Sequence, residues 1–275
     1  MGRILRYDDN GEITNDVSDK THYIRSESQN KFLKKREEAQ TQFAEFNDDA
    51  GKFVWSYPAK IQKLIKSNDF TKSDLTMIFY LSTYVNGTGY LSYNNQLKID
   101  KAGLQKVLGI GRNLFNKFFN KLVNYQIIST SGEWFKWNKN FNFYGSTKGV
   151  AKPTELVRSY VYQIRELYEA KDEKGKRKYS AISLYPVFAL VPYLHKSTNI
   201  VCKNPEVKNI EEINYYSLLE IAELLDLKDS KKMSSALSSI QLAEQSVFRK
   251  IEIKNEKYLQ MNPRIVFDNL ELSHF

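Results

Sequence analysis

Apolar residues near the middle of the chain recur at helical spacing in two adjacent segments. In the first, Leu104, Val107 and Leu108 follow Asp100, a residue type that caps helix N-termini. The stretch Gly109 to Gly111 interrupts the pattern, because glycine favours the turn that ends a helix. The pattern then resumes with inward positions at Phe115, Phe118, Phe119 and Leu122. Two short helices joined by a tight turn predict a helix-turn-helix, whose second helix can enter a DNA major groove.

The segment that follows alternates between apolar and polar residues, which indicates a β-hairpin. A turn at 129–132 is followed by the stretch 133–139, whose alternation predicts the returning strand. A helix-turn-helix followed by a hairpin has the order of a winged helix. Trp134 and Trp137 are interpreted as core residues rather than as platforms for stacked bases.

The second half of the chain repeats this order of elements. Ser217 opens a run of helical spacing, and Met233, Leu237 and Ile240 face inward in the next run. The predicted elements are a helical run from Tyr179 to near Pro192, a helix over 215–225, a helix over 231–242, and strands over 247–253 and 258–266 with a loop at 254–257. We therefore predict two tandem winged helix-turn-helix domains, in a fold that is mainly α with small β-hairpins and belongs to the α+β class.

Helical signals also precede and separate the two predicted domains. Pro58 stands where a first helical turn tolerates proline, and Thr71 to Asp74 resembles a capping box that opens the next helix. An amphipathic pattern at 30–47 predicts a helix that either packs on its own domain or forms a dimer contact. Pro153 begins a further predicted helix, which carries Leu156, Tyr160, Ile164 and Leu167. The predicted organisation is an N-terminal arm and amphipathic helix at 1–50, a first winged helix at 51–150, a linker helix and basic loop at 151–178, and a second winged helix at 179–275.

Positive charge is concentrated in the first predicted domain. Residues 51–150 contain 14 Lys and Arg against 4 Asp and Glu, a net charge of +10. Residues 1–50 contain 8 and 11, and residues 151–275 contain 19 and 17, so the excess of the whole chain, +9, arises in this one segment. A basic field on one module is typical of a phosphate-binding surface, with a solubilising charge imbalance as the alternative.

The predicted second helix of the first helix-turn-helix has an outward face of amide and basic side chains. Asparagine can pair with adenine, arginine with guanine and lysine with phosphate, and the face has no glutamate among its lysines. The candidate DNA-binding residues are Arg112, Asn113, Asn116, Lys117, Asn120 and Lys121 on this helix, Lys101 before it, and Lys136 and Lys139 in the hairpin. The second copy has a weaker set, for which DNA contact is left open: Lys231, Lys232, Ser234, Ser235 and Ser238.

Composition bounds the remaining possibilities. A chain of 275 residues with 41% hydrophobic residues can form two domains, and its one cysteine excludes an internal disulfide. Three histidines and one thiol do not form a recognisable zinc site, and no phosphate-binding glycine loop follows a strand-like run. We therefore expect no enzymatic activity, cofactor, metal or small-molecule substrate. No stretch approaches the ~18 apolar residues needed to cross a bilayer, so we expect no membrane contact and an intracellular location.

Several segments resemble one group of known proteins. They are FVWSYP, DLTMIFYLSTYV, the helix-turn-helix described above, FYGSTKG, LVPYLHKSTNIVCKNPE, SLLEIAELL and MNPRIVF. These segments, between about residues 52 and 268, are similar to tandem winged-helix DNA-binding proteins from phages and plasmids of low-GC Gram-positive bacteria. That group includes replication-initiator-like and multiple-drug-resistance-regulator-type proteins. The resemblance implies binding to double-stranded DNA, dimerisation and a location in the cytoplasm of a bacterial host cell. It leaves open whether the protein regulates transcription or initiates replication.

The favoured prediction is a sequence-specific double-stranded DNA-binding protein, a phage or plasmid transcriptional regulator that acts as a homodimer. A replication initiator that binds an origin is the first alternative, because it would use the same surface. A single chain that reads an extended site with both winged helices competes with the homodimer. A winged-helix scaffold for protein or single-strand interactions is the remaining alternative, and the outward face without acidic residues argues against it.

Overall fold

Short helices alternate with small antiparallel sheets along the described part of the chain. The computed structural model describes residues 51–148, 156–227, 229–253 and 256–267. All of them lie within one compact unit, Asn47–Leu270. This mixture of helices and antiparallel sheets confirms the predicted α+β class. The predicted arm and amphipathic helix at 1–50 lie outside the described residues.

Local signals explain where the helices of the first half begin and end. The described elements are β1 (Phe53–Ser56), α1 (Pro58–Lys66), α2 (Lys72–Ser82), α3 (Lys101–Leu108), α4 (Arg112–Asn124), β2 (Ile128–Ser131), β3 (Trp134–Trp137) and β4 (Asn142–Phe143). Thr71 and Asp74 form the predicted capping box of α2. Asp100 caps α3 by accepting a hydrogen bond from the Gly103 N–H at 2.7 Å. Gly109 ends α3 in the left-handed conformation, at a φ of 62°.

The second half has a similar succession of helices followed by a hairpin. Its described elements are β5 (Val157–Tyr160), α5 (Val161–Glu169), α6 (Ala181–Ala189), α7 (Leu218–Leu224), α8 (Ser230–Ser238), β6 (Gln241–Leu242), β7 (Gln245–Ser246), β8 (Phe248–Ile253), β9 (Glu256–Met261) and β10 (Val266–Phe267), with 3₁₀ turns at Val191–Tyr193 and Ile210–Glu212. The predicted cap Ser217 is present and forms a capping box with Glu220. The predicted order of helix, helix, turn, helix and hairpin is therefore confirmed here at the level of secondary structure.

The helix predicted to begin at Pro153 is wrong in its first part. Residues Val157–Tyr160 form β5, and α5 begins at Val161. Because β5 pairs with a strand on each side, tertiary hydrogen bonds outweigh the helical spacing of Leu156 and Tyr160. Pro153 itself lies outside the described residues.

The boundaries of two elements near the C-terminal end are also wrong. α8 ends at Ser238, before its predicted limit, because Gln241–Leu242 pairs with β7. The second strand of the hairpin begins at Glu256, inside the predicted loop, and stops at Met261. It stops there because Pro263 follows and has no N–H to continue the ladder.

One four-stranded antiparallel sheet, in the order β10-β5-β1-β4, joins the two halves. The register of its central strands places Trp55 opposite Arg158, flanked by Val54 opposite Ser159 and Ser56 opposite Val157. If β1 and β5 are exchanged so that Trp55 takes the place of Arg158, the pair Val54–Ser159 takes the place of the pair Val157–Ser56, and the reverse. The central pair Trp55–Arg158 then coincides with itself. The outer strands obey the same exchange, since Phe143 pairs with Trp55 and Phe267 with Arg158. A local two-fold pseudo-axis therefore passes through the Trp55–Arg158 pair.

A short extended segment at 89–91 adds to the β2–β3 hairpin in the first half. The Leu91 N–H donates to the Phe135 carbonyl at 3.0 Å, and the Trp137 N–H donates to the Gly89 carbonyl at 2.8 Å. Gly89 has a φ of 81°, in the left-handed region that glycine adopts without strain.

The second half repeats these contacts at the β8–β9 hairpin. The Val201 N–H donates to the Leu259 carbonyl at 2.9 Å, and the Met261 N–H donates to the Asn199 carbonyl at 3.0 Å. Asn199 also has a positive φ, of 54°, as Gly89 does. The two halves therefore agree in the hydrogen bonds that attach each hairpin, although their side chains differ.

Apolar side chains of both halves belong to one continuous core. α2 packs on α6, where the ring centres of Phe79 and Phe188 lie 5.3 Å apart. The Tyr80 ring of α2 stacks on the Tyr168 ring of α5 at 3.8 Å. These contacts join the first half to the second within a single core.

Candidate nucleic-acid interface

The outward face of α4 is the first candidate surface. The buried face of this helix holds it against the core through Phe115, Phe118, Phe119 and Leu122, as predicted. The helix follows the turn at Gly109 and has Gly111 at its N-cap position, where no side chain accepts a hydrogen bond from the first turn. Its first backbone N–H groups are therefore available to an anion such as a DNA phosphate.

Five of the six predicted side chains on α4 are exposed: Arg112, Asn113, Asn116, Lys117 and Asn120. None of these five has a side-chain hydrogen bond or ion pair within the described part of the chain. Their amide and cationic groups can therefore bind an external partner without first breaking an internal contact. An asparagine–arginine–lysine surface can pair with base edges and neutralise phosphate.

The sixth predicted residue, Lys121, does not point outward as expected. Its Nζ lies 2.7 Å from Oδ2 of Asp74, whose side chain is 6% exposed. That same carboxylate oxygen accepts a hydrogen bond from the Thr71 N–H at 2.9 Å. Lys121 therefore attaches α4 to the N-terminal end of α2. The Asp74 carboxylate balances the positive charge of Lys121 within the fold.

Lys101 has a mixed environment at the start of α3. Its Nζ lies 4.5 Å from the centre of the Phe119 ring, on the helix that follows the turn. The residue itself is exposed. A cation over an aromatic ring keeps its charge accessible to a phosphate.

The β2–β3 hairpin carries the predicted lysines on a basic edge. Lys136 on β3 and Lys139 just after it are both exposed. Beside them, Lys98 lies with its Nζ 4.2 Å from the centre of the Tyr90 ring. A hydrogen bond with the Ser131 hydroxyl, and the charges of Lys98 and Lys136, lower the pKa of the Tyr90 phenol. This edge therefore places two cations, Lys98 and Lys136, around one tyrosine.

Acidic side chains do not neutralise this region. Residues 51–148 contain four, and three of them have structural partners. Asp74 binds Lys121, Asp100 caps α3, and Asp69 raises the pKa of Tyr125 chiefly through a hydrogen bond. The fourth, Glu133, lies in the hairpin turn between β2 and β3. A carboxylate there disfavours phosphate contact by the tip, so the basic edge is the better candidate.

The second copy presents a different surface along α8. Lys231, Lys232 and Ser235 are exposed, as predicted. A cleft of about 430 Å³ follows the helix and is lined by Leu218, Ser230, Lys231, Ser234, Ser235, Ser238 and Lys250. The Ser238 hydroxyl donates to the Ser234 carbonyl at 2.7 Å, which engages it within the helix. α8 therefore offers two exposed lysines and the hydroxyl of Ser235, whereas the Ser238 hydroxyl is engaged within the helix.

Three residues of these surfaces were not identified from the sequence. Tyr90 and Lys98 join the first basic edge, and Lys250 on β8 faces the cleft beside α8. Each lies on a strand or extended segment that comes close to the site only through tertiary pairing. The one sequence signal for the two lysines was their polar position in a segment that alternates between apolar and polar residues.

Two other kinds of site are absent from the described residues. No helix in this part of the chain is long and apolar enough to cross a membrane. Within the same residues, no group of three or more His, Cys, Asp or Glu side chains comes together as candidate metal ligands.

Comparisons with known proteins returned no similarity. The chain matches no protein-family model, no curated protein and no solved structure. Function is therefore inferred from the chemistry and placement of the described residues.

Proposed function

We propose that the chain is a sequence-specific double-stranded DNA-binding protein that inserts α4 into the major groove. The observation that carries this proposal is the outward face of α4, with two asparagines, an arginine and a lysine in its first two turns: Arg112, Asn113, Asn116 and Lys117. Their lack of internal partners and the +10 charge of residues 51–150 support a polyanionic ligand. Asn120 extends the face by one turn.

We further propose that each half is a winged helix. The order α2, segment 89–91, α3, α4 and the β2–β3 hairpin supports this assignment in the first half. The order α6, segment 199–201, α7, α8 and the β8–β9 hairpin supports it in the second. In this assignment β5 and α5 belong to the second copy, where they correspond to β1 and α1. The basic edge at Lys98, Lys136 and Lys139 then lies on the first wing and sets the register on the DNA backbone.

Placing both recognition helices on one duplex is the binding arrangement that the internal pseudo-axis supports. A two-fold axis between helix-turn-helix units is how dimers place two helices in successive major grooves. Here the axis lies within one chain, so a single chain can present both. The homodimer stays a prediction. Sedimentation of the DNA complex distinguishes the single chain from the homodimer, because the complex contains either one or two chains of 32.1 kDa per site.

The cellular role proposed is regulation of transcription from a phage or plasmid, which the resemblance of several segments supports. Replication initiation would use the same surface. The location of bound fragments in the source genome tests the choice, because a regulator binds at promoters. Binding confined to a repeated array beside an AT-rich segment would contradict the regulatory role.

Selection from a pool of random duplexes, followed by fluorescence anisotropy, tests DNA binding itself. We expect one enriched sequence, and about a thousandfold loss of affinity between ~50 and ~200 mM salt if about six phosphates are contacted. Asn113→Ala and Asn116→Ala should each lower affinity for the selected site by about 5- to 150-fold, which corresponds to about 1 to 3 kcal/mol. They should leave affinity for random DNA unchanged.

Matched variants separate base recognition from a general loss of binding. Asn124→Ala makes the same change at the exposed far end of α4 and should affect neither DNA. Lys136→Met and Lys139→Met should weaken binding to the selected and random DNA alike, because both side chains are proposed to contact phosphate. No enrichment, a flat salt response, or equal losses on both DNAs for Asn113→Ala would reject the proposal.

A further inference from the structure

The two halves of the fold contact each other at the C-terminal ends of equivalent helices. α3 and α7 are the helices that precede the turn in each helix-turn-helix, and Leu108 and Leu225 stand at their ends. Each is followed by a residue in the left-handed conformation, Gly109 at a φ of 62° and Asp226 at 54°. The last carbonyls of a helix lack intrahelical partners and carry the negative end of its dipole. These two positions are therefore matched acceptors for a cation.

The end of α3 receives its cation from the second half. Arg177, in the segment that leads into α6, donates from Nη2 to the Leu108 carbonyl at 3.1 Å. The Tyr168 hydroxyl donates to the same carbonyl at 3.3 Å, and the Arg177 guanidinium lies 4.4 Å from the centre of the Tyr168 ring. A Cβ atom on Gly109 would lie 2.7 Å from the same Nη2, so a glycine there leaves room for the guanidinium.

The end of α7 receives its cation from the first half. Lys72, the first residue of α2, donates from Nζ to the Leu225 carbonyl at 2.8 Å. The same Nζ lies 3.3 Å from Oδ2 of Asp226, the left-handed residue that follows. Lys72 also lies over the Tyr185 ring of α6, 5.6 Å from its centre. Arg177 and Lys72 are not equivalent positions, but the two carbonyls that they bind are.

We propose that Lys72 and Arg177 are positioning residues that fix the spacing and relative rotation of the recognition helices α4 and α8. This inference rests on the proposed function. Each cation holds the helix that leads directly, through a turn of a few residues, into the recognition helix of the opposite half. A change in either contact therefore moves one recognition helix relative to the other. The pair thus determines which separation of two half-sites on one duplex the chain accepts.

The energetic consequence concerns the second half-site. Once one recognition helix is bound, the other binds its half-site at an effective concentration set by how closely the protein geometry matches the DNA. A rigid pair of helices gives a high value at one separation and a low value at all others. Without the two contacts, the helices sample more arrangements, so binding at the best separation weakens and binding at other separations is penalised less.

The test uses the selected DNA site and duplexes in which its two halves are moved apart by one to five base pairs. The wild-type protein should lose at least ~10-fold in affinity when the separation changes by two base pairs. The Lys72→Met, Arg177→Met variant should bind the original site more weakly and lose less than ~3-fold for the same change. A charge-matched control, Lys63→Met with Lys66→Met, removes two exposed lysines of α1, away from both contacts, and should keep the wild-type separation profile.

A second measurement needs no DNA. Spin labels on cysteines that replace Val123 in α4 and Ala236 in α8, both exposed, report the distance between the helices when Cys202 is replaced by alanine. We expect a narrow distance distribution in the parent protein and a broader one after Lys72→Met and Arg177→Met. If the double variant does not fold, each single variant is measured in the same way and should also broaden the distribution.

The outcomes separate the inference from the function on which it rests. An unchanged separation profile together with an unchanged distance distribution would overturn the positioning role and leave DNA binding intact. A wild-type protein that enriches no duplex sequence would overturn the proposed function, and the positioning role in DNA binding with it.

Discussion

The ion pair between Lys121 and Asp74 gives the sharpest test of how α4 is held. Oδ2 of Asp74 accepts from the Lys121 Nζ at 2.7 Å and from the Thr71 N–H at 2.9 Å. The carboxylate side chain is 6% exposed and the lysine side chain 33% exposed. Water therefore solvates the Lys121 ammonium but hardly reaches the Asp74 carboxylate. Removing the lysine thus leaves a poorly solvated charge without a partner, whereas removing the aspartate leaves a better-solvated one.

The expected magnitudes follow from which contacts each substitution removes. Asp74→Asn keeps an oxygen for the Thr71 N–H and removes only the ion pair, so we expect a loss of about 1 to 2 kcal/mol in the free energy of unfolding. Asp74→Ala also removes half of the capping box, which adds about 1 kcal/mol. Lys121→Met keeps the aliphatic stem but leaves a buried carboxylate without its cation, and should cost about 2 kcal/mol. Lys117→Met, on the same helix but fully solvated, should change stability by less than about 0.5 kcal/mol.

Urea unfolding of the single variants and of Asp74→Asn with Lys121→Met completes a double-mutant cycle. We expect a coupling energy of at least about 1 kcal/mol. Binding to random DNA gives the complementary result: Lys117→Met should reduce the salt slope by about 1, and Lys121→Met should leave it unchanged. A coupling energy near zero would refute the structural role of the pair. A reduced slope for Lys121→Met would return Lys121 to the phosphate-binding set.

Three further outcomes are expected. Arg165→Lys should lower the free energy of unfolding by about 1 to 3 kcal/mol, measured in urea, because the guanidinium donates to the Thr83 hydroxyl at 3.0 Å and to the Thr83 carbonyl at 2.7 Å, a fork that lysine cannot form; an unchanged stability would contradict this. Burial raises the pKa of the Cys202 thiol to about 11, so a thiol reagent at pH 8 should modify the protein slowly when folded and rapidly in urea, and equal rates would count against burial. Hydrogen bonds from Lys203 and Ser217 lower the pKa of Glu220 to about 2 in the folded chain, below its usual 4.5. The free energy of unfolding of the wild type should therefore exceed that of Glu220→Gln by its full amount above pH 4.5, and this difference should disappear as the pH falls towards 2. A difference that is independent of pH would contradict the assignment.

Local signals in the sequence predicted where several helices of this fold begin or end. Thr71, Asp100 and Ser217 each bind a backbone group three residues away, so their effect is visible in a short window of sequence. Gly109 is likewise recognised by the conformation that it alone adopts easily. The central sheet was not predicted, because its strands are two to four residues long and too short for a period of two to be distinguished.

In the candidate site too, the sequence predicted local features but not contacts between distant residues. The outward residues of α4 follow from helical periodicity once its apolar face is recognised. The pairing of Lys121 with Asp74 joins residues 47 positions apart, and the approach of Lys98 to Tyr90 depends on a hairpin packed beside segment 89–91. Such contacts depend on tertiary structure, so periodicity placed Lys121 on the outward face without its partner Asp74 and omitted Lys98.

The proposed recognition helices, α4 and α8, lie on a nearly symmetric frame but carry different side chains. If the proposed function holds, this difference has a consequence for the DNA sequence that they would select. A symmetric dimer presents the same side chains twice and reads a palindrome. Here α4 presents Asn113 and Asn116 where α8 presents lysine and serine, of which lysine mainly binds phosphate. We therefore expect a selected site with one strongly constrained half and one weakly constrained half. Asn113→Ala should relax the base preference in the constrained half alone, and selection of two equal inverted halves would show instead that two copies of α4, from two chains, occupy the site.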